Sequence, residues 1–157
     1  MKFHLLVLIT MIVLTGCTTA PATDTPVNNG LIKIRSANDV ETTTQRLLAA
    51  LDTAGMRHFA TVDHTEGAEA AGLALRPTRV VIFGNPKAGT PLMRCAQTIG
   101  IDLPMKALIF EAESGEVFYT YNNIRYLGDR HAIAGCGPVL DKVEGALAKF
   151  AMAATSS

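Results

Sequence analysis

The hexapeptide Arg79–Gly84, RVVIFG, constrains this chain more than any other stretch. Its β-branched and aromatic side chains leave no polar face for solvent, which predicts a central β-strand. The segments around it read in the same terms. Leu31, Ile32 and Ile34 make a short first strand, and residues 56–62 a second. Residues 105–112 and 116–121 predict two more, joined by a tight hairpin about Ser114–Gly115. Val40, Leu47, Leu48 and Leu51 recur at the spacing of a helix buried along one stripe, as do Leu140, Val143, Leu147 and Phe150. Asn38 with Glu41 marks the start of the first helix and Gly55 its exit, and Pro138 suits the first turn of the last. Asp63 and Glu66 form a second cap pair, ahead of a short Ala-rich helix that stops at Gly72. Residues 85–91, NPKAGTP, read as a turn and loop, 92–99 as a short helix, 125–134 as irregular or partly extended, and the ATSS tail as frayed. The sum is an α+β domain over residues 30–154: a curved antiparallel sheet covered on one face by two long helices, with short helices added.

A different kind of sequence precedes the domain. Lys2 is followed by the apolar run Leu5–Leu14, and Leu14–Thr15–Gly16–Cys17 closes it. A basic start, an apolar centre and small residues at the exit are the layout of an export signal. The run is shorter than the roughly 20 residues of a spanning helix. Leu-Thr-Gly-Cys resembles the bacterial lipobox, in which cleavage precedes a cysteine whose thiol takes a diacylglycerol. Residues 1–16 are therefore expected to be a lipoprotein signal peptide and Cys17 the lipidated residue. Residues 17–29, rich in Thr, Pro, Asn and Ala, are expected to be a flexible tether. The chain is then held to a membrane by lipid, in the cell envelope. Thr18 rather than Asp after the cysteine points to the outer membrane, facing the periplasm, where the host has two membranes.

Charge and composition exclude several partners. Basic and acidic residues number 14 each, for a formal net charge of zero, and loss of the leader with Lys2 leaves the remainder acidic by one. No basic excess invites nucleic acid, and with no tryptophan and 6% aromatic residues there is little to stack bases or sugars on. Beyond Cys17 two cysteines remain, Cys95 and Cys136. In an exported chain they are a candidate disulfide; the other reading is two separate buried thiols.

An ordered set of short motifs runs through the middle of the chain: Asp63-His64, Ala71-Gly72, Leu75-Arg76-Pro77, Phe83-Gly84-Asn85-Pro86, Gly89-Thr90-Pro91-Leu92-Met93 and Asp102-Leu103-Pro104. This set resembles the domain-of-unknown-function family 302, from about Gly30 to Phe150. The resemblance implies a β-α-β(4)-α fold, related in shape to the TATA-binding-protein-like class, and self-association, with a homodimer as the expected assembly. It implies no activity. The lipobox and the cysteine pair depart from the family pattern and suggest an envelope-anchored version.

The candidate site residues are Asp63, His64, Asn85, Lys87, Thr90, Met93 and Asp102. Asp63-His64 ends a strand, where Asp could orient His, though helix capping alone accounts for Asp63. Gly84–Thr90 invites a phosphate-loop reading, yet the Gly-Lys-Ser/Thr ending is missing, and a rigid turn explains it as well. Lys87 and Thr90 add donors, and Met93 fills apolar space. No cofactor is expected. No close His or Cys spacing marks a metal site, so His64, His131 and Asp102 would have to assemble from distant segments. No Gly-x-Ser-x-Gly elbow exists, and a thiol site of Cys95 with His131 lacks an obvious setting. Two functions remain. One is a non-catalytic domain binding a small ligand or a protein, with the 84–93 loop and Asp63–His64 as opposite walls of its pocket. The other is an enzyme whose site joins Asp63, His64, Asn85, Thr90 and Asp102.

Overall fold

Alternate side chains of the central strands are sealed from solvent: Val81, Phe83, Ala107, Ile109 and Tyr119 are each 0% exposed. The structure, a computed structural model, describes residues 29–157. The expected signal peptide, Cys17 and nearly all of the tether lie outside the described residues. The elements run β1 (Leu31–Arg35), α1 (Val40–Thr53), β2 (Arg57–Asp63), α2 (His64–Ala70), β3 (Thr78–Gly84), α3 (Pro86–Cys95), a 3₁₀ turn (Gln97–Ile101), β4 (Met105–Glu111), β5 (Val117–Asn122), α4 (Ile124–Arg130) and α5 (Gly137–Thr155). The five strands form one open antiparallel sheet in the order β1-β5-β4-β3-β2. The α+β expectation and its five strands hold, with RVVIFG inside β3.

A sheet with one apolar face must be covered, and the two long helices cover it. α1 contributes Val40, Leu47 and Leu51, and α5 contributes Leu140, Val143, Leu147 and Phe150, all buried. Phe150 meets Phe83 edge-on, ring centroids 5.9 Å apart. The helix side also buries Thr43, whose hydroxyl donates to the Asp39 carbonyl at 2.6 Å and lies 2.7 Å from the Ser36 hydroxyl. On the opposite face Val80, Ile82, Leu108, Phe110 and Phe118 are half-buried. The Lys33 ammonium lies 3.7 Å from the Phe118 ring centroid and 5.3 Å from that of Phe110.

Four local expectations are corrected. Asp39, not Asn38, caps α1: its Oδ1 accepts from the Thr42 N–H at 2.6 Å, while Asn38 Nδ2 donates to the Ser156 carbonyl at 2.7 Å. Residues 85–91 are no loop but the start of α3. Asn85 is its cap, Oδ1 accepting from the Lys87 N–H at 2.9 Å, and Pro86 fills the first position, where its missing N–H is harmless. Residues 125–130 are helical, because Asn123 caps α4 through the Arg125 N–H at 2.8 Å and Ile124 and Leu127 reach the core. The tail does not fray at Ala154–Thr155: both are buried, and the Thr155 carbonyl accepts from the Ala37 N–H at 2.9 Å.

The core face carries the stability. Phe83→Ala should lower the unfolding free energy by about 3–5 kcal/mol. Phe59→Ala, on edge strand β2 and 43% exposed, should cost about 1 kcal/mol or less. Urea unfolding with the disulfide intact and an unchanged m-value would check both.

Candidate functional site

The two ends of the sheet carry different chemistry, because antiparallel pairing places the end of β3 beside the start of β2. Gly84 pairs with Arg57, whereas Arg79 pairs with Asp63 at the far end. Asn85 and His64 are therefore separated by the length of the β2–β3 ribbon. This corrects the expectation that the 84–93 segment and Asp63–His64 form two walls of one pocket.

At the Asp63 end the geometry is that of an ion network. Asp63 caps α2, its Oδ1 accepting from the Thr65 N–H at 2.9 Å and the Glu66 N–H at 3.1 Å. Its Oδ2 accepts from Arg79 Nε at 2.7 Å, and Arg79 also binds Glu41 on α1. The Arg79 guanidinium, helped by the cap N–H of Glu66, holds the Asp63 carboxyl below its ordinary range. Arg79, then Gln45, does the same for Glu41. A cleft of about 370 Å³ lies here, lined also by Glu66, Glu69 and Glu111. Asp63 is engaged three times in capping and pairing, so it braces α2 against β3 and, through Arg79, against α1. His64, the first residue of α2, is exposed and lines neither this cleft nor the larger one.

The other end holds a larger cavity of about 570 Å³. It opens where β3 gives way to α3 and is closed on the far side by α5. Asn85, Lys87, Thr90 and Met93 line it from α3, and Lys142, Val143, Ala146, Leu147 and Phe150 from α5. Met56, Phe59, Leu103, Pro104 and Met105 supply the remaining apolar wall. Gly84 and Gly89 lie against its wall: a Cβ at Gly84 would meet Phe59 and Pro104 at 3.5 Å, and one at Gly89 would meet Leu103 at 3.6 Å, both ordinary van der Waals contacts. Cys95, the last residue of α3, and Cys136, the cap residue of α5, are joined as a disulfide with Cα atoms 6.5 Å apart. The bond thus ties together the two helices that wall the cavity, and no Cys95 thiol is left for a site with His131.

Asp102 belongs to neither cavity. Its Oδ2 accepts from His131 Nε2 at 2.6 Å, its Oδ1 lies 3.4 Å from Arg130, and His131 Nδ1 lies 3.0 Å from the Thr98 hydroxyl. Because a carboxylate only accepts, Nε2 is the donor of this contact. The Thr98–His131–Asp102 row ties the 3₁₀ turn to the end of α4 and lines neither cavity. The five residues of the enzyme expectation therefore divide into three places: Asp63 with His64 at one end, Asn85 with Thr90 at the other, and Asp102 beside α4. The metal set likewise keeps His131 with Asp102 and loses His64, and among the described residues no three or more His, Cys, Asp or Glu could hold a metal ion. Sequence reasoning missed Lys142, Ala146 and the Met56–Phe59 wall. The signal available was the position of Lys142 and Ala146 beside the apolar stripe of α5.

The ion network has a pH signature. Asp63 stays charged to lower pH in the folded than in the unfolded chain. Its contribution is complete above the ordinary value of 3.8 and is lost as pH falls below it, through the lowered value. Arg79→Met should lower the melting temperature near neutrality and flatten its decline between about pH 5 and pH 2. Thermal unfolding across that range would check it.

Comparison with known proteins places this architecture. A crystal structure of an uncharacterized conserved protein DUF302 from Bacillus stearothermophilus superimposes with a TM-score of 0.72 at 16% identity, over 80% of this chain and 98% of that one. The fold described above is therefore nearly the whole of that solved chain, where it folds without a further domain. Among curated proteins, two named fluoride-specific ion channel FluC 1, from Brucella suis biovar 1 (strain 1330) and Brucella abortus biovar 1 (strain 9-941), are each 44% identical over 107 residues. The matched stretch is 68% of this chain and spans only 42% and 40% of those relatives. Residues 32–150 match the family described as Domain of unknown function DUF302, and the chain belongs to that family.

Proposed function

We propose that this chain is an envelope lipoprotein, anchored through Cys17, whose domain binds a small apolar molecule in the cavity between α3 and α5 without transforming it. The observation that carries the reading is the cavity itself. Its volume, about 570 Å³, falls within the roughly 300–1,000 Å³ of small-molecule sites, and its apolar wall with a few polar groups at one edge is the usual make-up of such sites. Binding is favoured over catalysis because Asp63, His64 and Asp102 lie away from Asn85 and Thr90. The partners proposed are the membrane, through the lipid, and a second copy of the chain in a homodimer; nucleic acid is not among them.

The Brucella relatives support a membrane setting. A channel must cross a bilayer, and only helices or closed barrels do so. No helix among the described residues is long and apolar enough to cross a membrane, and the sheet is open. We therefore read the shared stretch as a domain held beside a membrane rather than as part of a conduction path. The lipid on Cys17 would supply here what a spanning segment supplies there.

Two experiments test the parts separately. Cells fed radiolabelled palmitate should label the wild-type chain, while Cys17→Ser should remain unlabelled and unprocessed; equal labelling would remove the anchor. For the cavity, the segment 29–157 should bind the neutral dye Nile red, with Ala146→Trp weakening binding by about tenfold or more. The melting temperature of that variant should change by no more than a few degrees. Dye binding that ignores Ala146→Trp would place the ligand elsewhere.

A further inference from the structure

We infer that the ligand is a single-chain fatty carboxylate, its acyl chain in the α3–α5 cavity and its carboxylate between Lys87 and Lys142. This rests on the binding reading above and adds the charge of the ligand to it. The lining contains only two ionisable residues, and both are lysines. Lys87 stands in the first turn of α3 and Lys142 in the second turn of α5, one on each wall. Neither ammonium is engaged by a carboxylate, carbonyl or aromatic ring among the described residues. Elsewhere Arg35, Arg79, Arg125 and Arg130 pair with acids, Arg46, Arg76 and Lys106 donate to carbonyls, and Lys33 and Arg57 lie over rings, whereas Arg94 and Lys149, which line neither cavity, share with the two lysines the absence of such a partner among the described residues. Six carboxylates gather instead at the opposite end of the sheet, where Asp39, Glu41, Asp63, Glu66, Glu69 and Glu111 line the cleft with Arg79 as its one cation, while Asp141 and Glu144, beside Lys142 on α5, are held by Arg125.

A chain of zero formal net charge thus lines its apolar cavity with two cations and no anion. An anionic head meets two unpaired ammoniums there, and a cationic head would meet like charge. Thr90 lies on the same wall as Lys87 and offers a hydroxyl donor suited to a carboxylate, and Asn85, the cap of α3, holds that wall through the Lys87 N–H. Met56, Met93 and Met105 also line the cavity. Methionine side chains are unbranched and flexible, which suits a contact that must adapt to a flexible alkyl chain. The remaining possibility is that the two lysines only lay their stems along the apolar wall and keep their heads in water. In that case a neutral ligand would bind as well as an anion.

Calorimetric titration of the segment 29–157 with decanoate and with 1-decanol separates the cases. Decanoate should bind more tightly than the alcohol. Lys87→Gln and Lys142→Gln should each weaken decanoate by roughly tenfold, leave decanol unchanged, and preserve the melting temperature. Rising salt should weaken decanoate alone. Equal binding of acid and alcohol, indifferent to both lysine variants, would overturn the charge assignment while leaving the apolar site standing. Binding of neither probe, with no Nile red binding, would overturn the site itself. Decanoate binding that survives Ala146→Trp but not the lysine variants would overturn the placement of the acyl chain.

Discussion

One face of one sheet organises this molecule. Val81 and Phe83 on β3, Ala107 and Ile109 on β4, and Tyr119 on β5 project to the same side. Burying them is the main favourable term available to a chain this short of aromatic residues. α1 and α5 exist to do it. Their apolar stripes are long enough to cover the strands, and the Phe83–Phe150 contact fixes α5 over β3. With that contact in place, the tail of α5 is drawn to the start of α1, where Thr155 and Ser156 receive hydrogen bonds from Ala37 and Asn38.

The same arrangement creates the cavity. α5 covers the sheet at Phe150 and Leu147, its Lys142 and Val143 line the cavity, and α3 follows β3 directly after Gly84. Between these helices the wall is completed by Ala54, Met56, Phe59, Gly100 and residues 103–105. The Cys95–Cys136 bond joins α3 to α5 beyond this gap. Both helices are therefore anchored at the strand end and again at the disulfide. A site held on rigid elements at two points keeps its shape without needing ligand to fill it. The acidic end holds only the smaller cleft, where Arg79 bridges Asp63 and Glu41.

Much of the fold was legible in the residues. Strands showed because β-branched runs of five to seven residues have few other solutions, and the two long helices showed through their 3.6-residue stripes. The misreadings share a cause. Residues 85–91 and 125–130 contain glycine, proline or charged residues at positions that break a local pattern, and each became helical because an asparagine cap and core contacts outweighed weak propensity. The choice between Asn38 and Asp39 as cap was settled by the end of α5, which claims Asn38 from far along the chain. The candidate site was legible only in half. Asn85, Lys87, Thr90 and Met93 stood out as a polar-edged segment after the most apolar strand, but nothing local said which segment would face them.

What the sequence alone determined was the list of elements, their apolar faces, the α+β class and the family, because each depends on neighbours within a few residues or on an ordered set of motifs. Which residues meet was decided by the tertiary structure. Antiparallel pairing sent Asp63 and Asn85 to opposite ends of the sheet. The packing of α5 brought Lys142 and Ala146 to the wall facing α3. Residues 95 and 136 were brought within bonding distance by two helices that the chain reaches at widely separated points. Distances of that kind are set by the packing of the whole core, and no window of sequence contains them.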